Sequence, residues 1–176
     1  MLIQPSYLKT LYPNFESINN ELLLRKLSVI ENAIREYTNN KFQNTAIRFK
    51  ADIVGGVIQG TNEYLEIGDT IEISDGVNKG LYTLKTVSNF VEVNEPIKDT
   101  KDNLITKIEY PIDVVDGAIS VLDWELLQHG KEKSGIASEA ISRHSVSYVQ
   151  RTGDNTISGY PAELFNFCES YMKARF

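Results

Sequence analysis

The sequence predicts an α+β protein: a helical bundle of N- and C-terminal helices, with a small antiparallel β-sheet or barrel inserted between them. Three observations predict it. Apolar residues recur at helical spacing near both ends of the 176-residue chain, the middle third is rich in β-branched residues and glycine, and the flanking amphipathic segments are too few to bury their stripes separately. The expected division is residues 1–44 and 111–176 as helical core and 45–110 as inserted β subdomain.

The helical elements have clear signals. A short helix is expected at Pro5-Ser6-Tyr7-Leu8, closed before Pro13, which restricts the residue in front of it. From Ser17 or Asn19 as caps, Leu23, Leu27, Ile30, Ile34 and Tyr37 then follow at steps of four, three, four and three, one stripe on a long helix that stops at "TNNK". Beyond Pro111, Ile112, Val115, Ile119, Leu122 and Leu126 repeat the pattern, with Gly117 inside it as a point of close approach for the first long helix and Gly130 past its end. His129 is placed as a C-terminal dipole partner. A last helix is expected after Pro161, with Leu164, Cys168 and Tyr171 or Met172 on its inner face.

Between Thr45 and Tyr110, "AIRFKADIV", "EYLEIGDTIEIS", "GLYTLKTVS", "FVEVNE" and "LITKIEY" read as five short strands. "SDGVNKG" and "VSNF" supply turns, "GGVIQG" reads as a hairpin turn or bulge, and "KDTKDN" as an exposed loop.

Composition excludes several function classes. The net charge of −6 is spread as 5 basic and 4 acidic groups in residues 1–44, 7 and 11 in 45–110, and 6 and 9 in 111–176. None of these has the basic excess that tight phosphate contact needs, so sequence-specific nucleic-acid binding is not expected. A signal peptide and a long apolar span are both missing, so a soluble protein, cytoplasmic when made and without a membrane partner, is expected. The single cysteine, Cys168, precludes an internal disulfide, and two histidines fifteen positions apart do not make a zinc motif, so neither metal nor cofactor is expected.

The stretch "GIASEAISRHSVSYVQ" raises a hydrolase reading, which its geometry opposes. No GxSxG elbow is present, and in an extended chain His144, Val146 and Tyr148 share one face while Arg143, Ser145 and Ser147 share the other. Arg143, His144, Ser145 and Tyr148 are therefore read as a contact surface, and no enzyme is expected. The tail is the second candidate: Tyr160, Phe165, Phe167, Tyr171 and Phe176 fall within seventeen residues beside Lys173 and Arg175. Phe165 and Phe167 would point about 200° apart on an α-helix, so one of them must leave the inner face. Exposed aromatics beside cations are interface chemistry, which makes Tyr160, Phe167, Tyr171, Met172, Lys173, Arg175 and Phe176 partner candidates.

"IENAIREYTNNKF", "LEIGDTIEISDGVNKGLYTLKTV", "KSGIASEAISRHSVSY" and "GYPAELFNFCESYMKARF" together resemble the head-tail connector (adaptor) proteins of tailed phages and prophages of Gram-positive bacteria. The resemblance spans nearly the whole chain and is most specific in "SGIASEAISRHSVSY", "GYP" and "YMKARF". It implies a virion neck protein, in the host cytoplasm before assembly and monomeric when free. In the particle it would form a homo-oligomeric ring of about twelve subunits with heterologous contacts. The ring would bind the portal protein and offer a platform to a stopper, head-completion or tail-completion protein, and DNA would pass through it without sequence-specific binding. A different class, a peptide- or protein-binding module using the β insertion, is the alternative.

Overall fold

A computed structural model of the chain describes residues 1–128, 138–141, 144–147 and 156–174. They fall into two compact units: Met1, Ile3–Glu16 and Lys41–Pro111 form the first, and Leu2, Ser17–Asn40 and Ile112–Phe176 the second.

The first unit corrects the expected fold class. Strands β1 (Gln43–Val54), β2 (Val57–Gln59), β3 (Thr70–Ile73), β4 (Gly80–Val87), β5 (Val91–Val93) and β6 (Thr100–Ile108) form a closed barrel in the order β1-β2-β5-β4-β3-β6, every pair antiparallel. A helical bundle with an inserted sheet is therefore not the overall architecture. The barrel has its own core, in which Ile53, Ile58, Ile71, Ile73, Leu84, Val91 and Ile105 are almost wholly withdrawn from water. The short helix α1 (Pro5–Leu11), which the sequence assigned to the helical part, belongs to this unit.

Two local features allow closure. "GGVIQG" holds a sixth strand as well as a turn: Gly55 and Gly56 lie at φ +62° and +75°, where a side chain would be strained, and Val57–Gln59 then runs back along β1. The twelve-residue β1 bends through register shifts between Asn44 and Arg48 and between Ala51 and Ile53, so that it pairs with β2 on one side and β6 on the other. "KDTKDN", expected as a loop, forms the beginning of β6, with Asp102 at φ 56° beside the second shift. A closed sheet leaves no unpaired edge.

In the second unit, α2 (Asn20–Thr38) follows the expected stripe. Leu23, Leu27, Ile30 and Ile34 are fully buried, each contributing about 2 kcal/mol through lost apolar surface. Asn19 caps the helix, its Oδ1 accepting from the Glu21 amide at 2.7 Å, and Asn39 ends it in the left-handed region at φ 49°. Helix α3 (Ile112–Asp123) continues as a π turn over Trp124–Gln128. Its buried face is Val114, Ala118, Ile119, Val121 and Leu122, so Ile119 and Leu122 of the expected stripe are buried, while Val115 is half-buried and Val114, Ala118 and Val121 join from outside it. Ile112, directly after Pro111 at the helix start, is left 80% exposed.

Strands β7 (Ser138–Ile141) and β8 (His144–Ser147) form a two-stranded sheet, and β9 (Thr156–Ile157) pairs with β10 (Tyr160–Pro161) in another. The chain then enters a ten-residue 3-10 helix, Ala162–Tyr171.

Candidate functional site

The form of the last helix decides which tail residues are available to a partner. At three residues per turn, positions 165, 168 and 171 stack in one line. Phe165 and Cys168 are fully buried and Tyr171 follows them, while Leu164, expected inside, is only half-buried. The expected α-helical divergence of Phe165 and Phe167 gives way to near-parallel rings 6.2 Å apart at 19°. Phe167 lies against Gly117 of α3 so closely that a Cβ on that glycine would come within 2.3 Å of the ring. Gly117 thus serves the C-terminal helix rather than α2, the partner expected from sequence.

Tyr160 is a core residue. It is 5% exposed, its ring meets Trp124 and Phe165 edge-on or tilted at 6.2 and 6.0 Å, and its hydroxyl donates to Glu125 Oε2 at 3.0 Å. Burial first, then the hydrogen bond to Glu125 and its charge, hold this phenol far above the ordinary tyrosine range. The other carboxylate oxygen of Glu125 pairs with Lys26 of α2, so this group ties three elements of one unit together. Tyr160 has little surface to give a partner.

The next tail residues are arranged differently. Tyr171 donates its hydroxyl to Asp113 at the start of α3, 2.8 Å from each carboxylate oxygen. The chain neighbours of the two bonded residues, Ile112 and Met172, are 80% and 53% exposed. The Tyr171–Asp113 hydrogen bond thus fixes the chain neighbour of each of these exposed apolar residues, and Lys173, also exposed, follows Met172. Sequence reasoning named Met172 and Lys173 but missed Ile112 and Asp113. The available signal was Pro111: a residue directly after a helix-opening proline sits on the first turn, where it has fewer helical neighbours to pack with.

The serine-rich segment, considered above as one extended chain, contains two strands. Its backbone register sets Ser138 opposite Ser147, Glu139 opposite Val146, Ala140 opposite Ser145 and Ile141 opposite His144. His144 and Ser145 are consecutive positions of β8. Arg143, Tyr148, Arg175 and Phe176, along with His129 and Gly130, lie outside the described residues.

Other chemistry has weaker support. No group of three or more His, Cys, Asp or Glu side chains suited to a metal occurs among the described residues. Burial, and then the charge of Asp113, push the Cys168 thiol up to about 12, which keeps it protonated at neutral pH and poor as a nucleophile. In the barrel, the buried Glu72 accepts from Lys41 Nζ at 3.0 Å and Gln43 Nε2 at 2.9 Å, a satisfied structural carboxylate. No helix among the described residues is long and apolar enough to cross a membrane. The chain matches no protein-family model, no curated protein and no solved structure.

Proposed function

We propose that the protein is a head-tail connector subunit of a tailed phage or prophage, one that joins a ring beneath the portal and offers a platform for a stopper or tail-completion protein. The single observation that carries the reading is the exposure of Met172 and Lys173 next to Tyr171, whose hydroxyl is bonded to Asp113 beside the exposed Ile112. Met172 and Lys173 lie in "YMKARF", part of the wording that most specifically resembles the connector family. Apolar side chains beside a cation on a tethered backbone are suited to docking on another protein. The two-stranded β7–β8 sheet, paired with no other strand among the described residues, is the proposed subunit contact, since a two-stranded sheet gains from a further partner. The acidic balance suits a channel that DNA slides through.

The alternative, strand addition to the β unit, finds little support in a barrel whose strands close on one another. The test uses the full chain and DNA-filled, portal-bearing heads made without it. The double change Ile112→Asp and Met172→Asp should leave far-UV dichroism unchanged and lower capture on heads by about thirtyfold, each lost apolar anchor costing on the order of 1 kcal/mol. Unchanged capture would remove Ile112 and Met172 from the interface. Native mass spectrometry with and without portal protein would separately test ring formation.

A further inference from the structure

The end of α2 does more than stop a helix. Its last residues, Thr38, Asn39 and Asn40, all bond to the backbone of the C-terminal tail. The Thr38 carbonyl, one of the acceptors that a helix end leaves without an internal partner, accepts from the Lys173 amide at 2.8 Å. Asn39 Nδ2 donates to the Ala174 carbonyl at 2.9 Å and reaches that of Lys173 at 3.5 Å, and Asn40 Nδ2 donates to the Tyr171 carbonyl at 3.1 Å. Terminal residues ordinarily fray unless they are tied down. Here the main chain of 171, 173 and 174 is tied at each residue, while the side chains of Met172 and Lys173 stay exposed. Bonds to main chain alone fix where the tail runs without using up what its side chains can offer.

We propose that Asn39 and Asn40 are positioning residues, which hold the tail in one register so that Met172 and Lys173 meet the portal already ordered. This rests on the connector reading above. Ordering a segment before it docks removes part of the entropy that binding otherwise costs, and each tenfold in affinity needs only a small part of that saving. Asn39 is suited to the task because asparagine tolerates the left-handed conformation that this cap adopts while keeping an amide free to donate.

The test combines Asn39→Gly, which keeps the left-handed cap, with Asn40→Ala in the full-length chain. Two readouts are taken: hydrogen exchange of the Lys173 amide, and capture on portal-bearing heads made without the protein. The expected result is faster exchange at Lys173, unchanged Trp124 emission, and capture weakened about tenfold, with Asn40→Gln in the Asn39-intact chain recovering most of the binding by restoring an amide donor. Should the double variant fold poorly, Asn39→Gly alone gives the same readouts with a smaller effect. Unchanged exchange would mean that the asparagines do not hold the tail, and faster exchange with equal or tighter capture would mean that holding it does not aid docking. Either result overturns the proposal. Removal of Tyr171 to Phe176 is the separate control: normal capture by that chain would bring down the connector reading of the tail, whatever the exchange data say of the bonds.

Discussion

In the barrel, Ile71 on β3 stands opposite Tyr82 of β4 and Lys107 of β6, so each of its flanks is a hydrogen-bonded strand. In the helical unit, Phe167 rests on a glycine, and nothing but the missing side chain of Gly117 makes room for it. Both arrangements bury apolar surface, but the first depends on filling a space and the second on keeping one empty. Closed sheets fix their neighbours through the backbone, so the side chains need only be apolar and of the right volume. A helix packed on a 3-10 helix has no backbone bonds between the two, and its fit rests on single residues. The two units should therefore fail in opposite directions, the barrel when atoms are removed and the helical unit when they are added.

The largest effect is expected from removal. Ile71→Ala should cost about 2–5 kcal/mol, because Ile71 is fully buried and the strands around it cannot collapse into the vacated space. Urea denaturation would measure this, with faster amide exchange in β3 and β4 locating it. A loss below about 1 kcal/mol would mean that the barrel is looser than its closed register suggests. Addition comes next. Gly117→Ala gains about 1 kcal/mol of helix propensity but drives a methyl into Phe167, where the Cγ atom is among those within 2.4 Å and cannot move without turning the whole side chain. The net expectation is a loss of about 1–2 kcal/mol. It should also change the emission of Trp124, which is linked to Phe167 through Tyr160 and Phe165 by ring contacts of 6.0 to 6.2 Å. The sequence contains no other tryptophan, so the signal is unambiguous. Combining Gly117→Ala with Phe167→Ala should cost less than the sum of the two, and simple additivity would break the proposed coupling.

The same contrast governs what was legible in the sequence. The α2 stripe could be read residue by residue because Leu23, Leu27, Ile30 and Ile34 keep the α period and nothing local competes with it. The tail could not be read that way, since Phe165 and Cys168 fit a period of 3.0 as readily as one of 3.6, and the choice is made by packing against α3. In the β region, five strands had visible alternation, but Val57–Gln59 is too short to show any, and only the sixth strand converts a sheet into a barrel. The sequence left sheet and barrel open, because closure is a property of long-range register, which a run of twelve residues such as β1 does not disclose; what it misjudged was the helical bundle as the overall architecture. Of the candidate site, Tyr160 was visible as an aromatic but not as a core residue, because its burial depends on Glu125, thirty-five positions earlier. Ile112 was visible as apolar and was assigned to the wrong face.

Cys168 tests the dryness of the helical unit's interior. In an unfolded chain its thiol ionises near 9.0, whereas in the fold it keeps its proton up to about 12. The folded state therefore has no disadvantage below pH 9 and loses stability relative to the unfolded state as pH rises from there through 12. Other groups titrate in the same range, so the informative quantity is the difference between the wild-type chain and Cys168→Ala, with the wild type falling more steeply above pH 9. Alkylation gives a second reading. At pH 8 the native thiol should react about a thousandfold more slowly than in urea, following the smaller thiolate fraction. Equal rates would mean that water reaches the space between α3 and the C-terminal helix.

The smallest effect is expected at the barrel surface. Lys50 Nζ lies 3.0 Å from Asp102 Oδ2 across β1 and β6, but the two side chains are 63% and 73% exposed. Water screens such a pair and both side chains lose rotamer freedom in making it, so Lys50→Ala should change stability by less than about 0.5 kcal/mol, and by less still at 1 M salt. The neighbouring bond has a different character: the Asp102 amide donates to Asp52 Oδ1 at 2.8 Å beside the register shift in β1, where Asp102 holds its positive φ. Asp52→Ala should consequently cost more than Lys50→Ala, since it removes the acceptor for a backbone donor at a bulge rather than one member of a solvated pair. Measured side by side in urea at low and high salt, a salt-insensitive loss for Asp52→Ala with none for Lys50→Ala would identify backbone satisfaction as what holds the bend. The reverse order would assign that role to the ion pair.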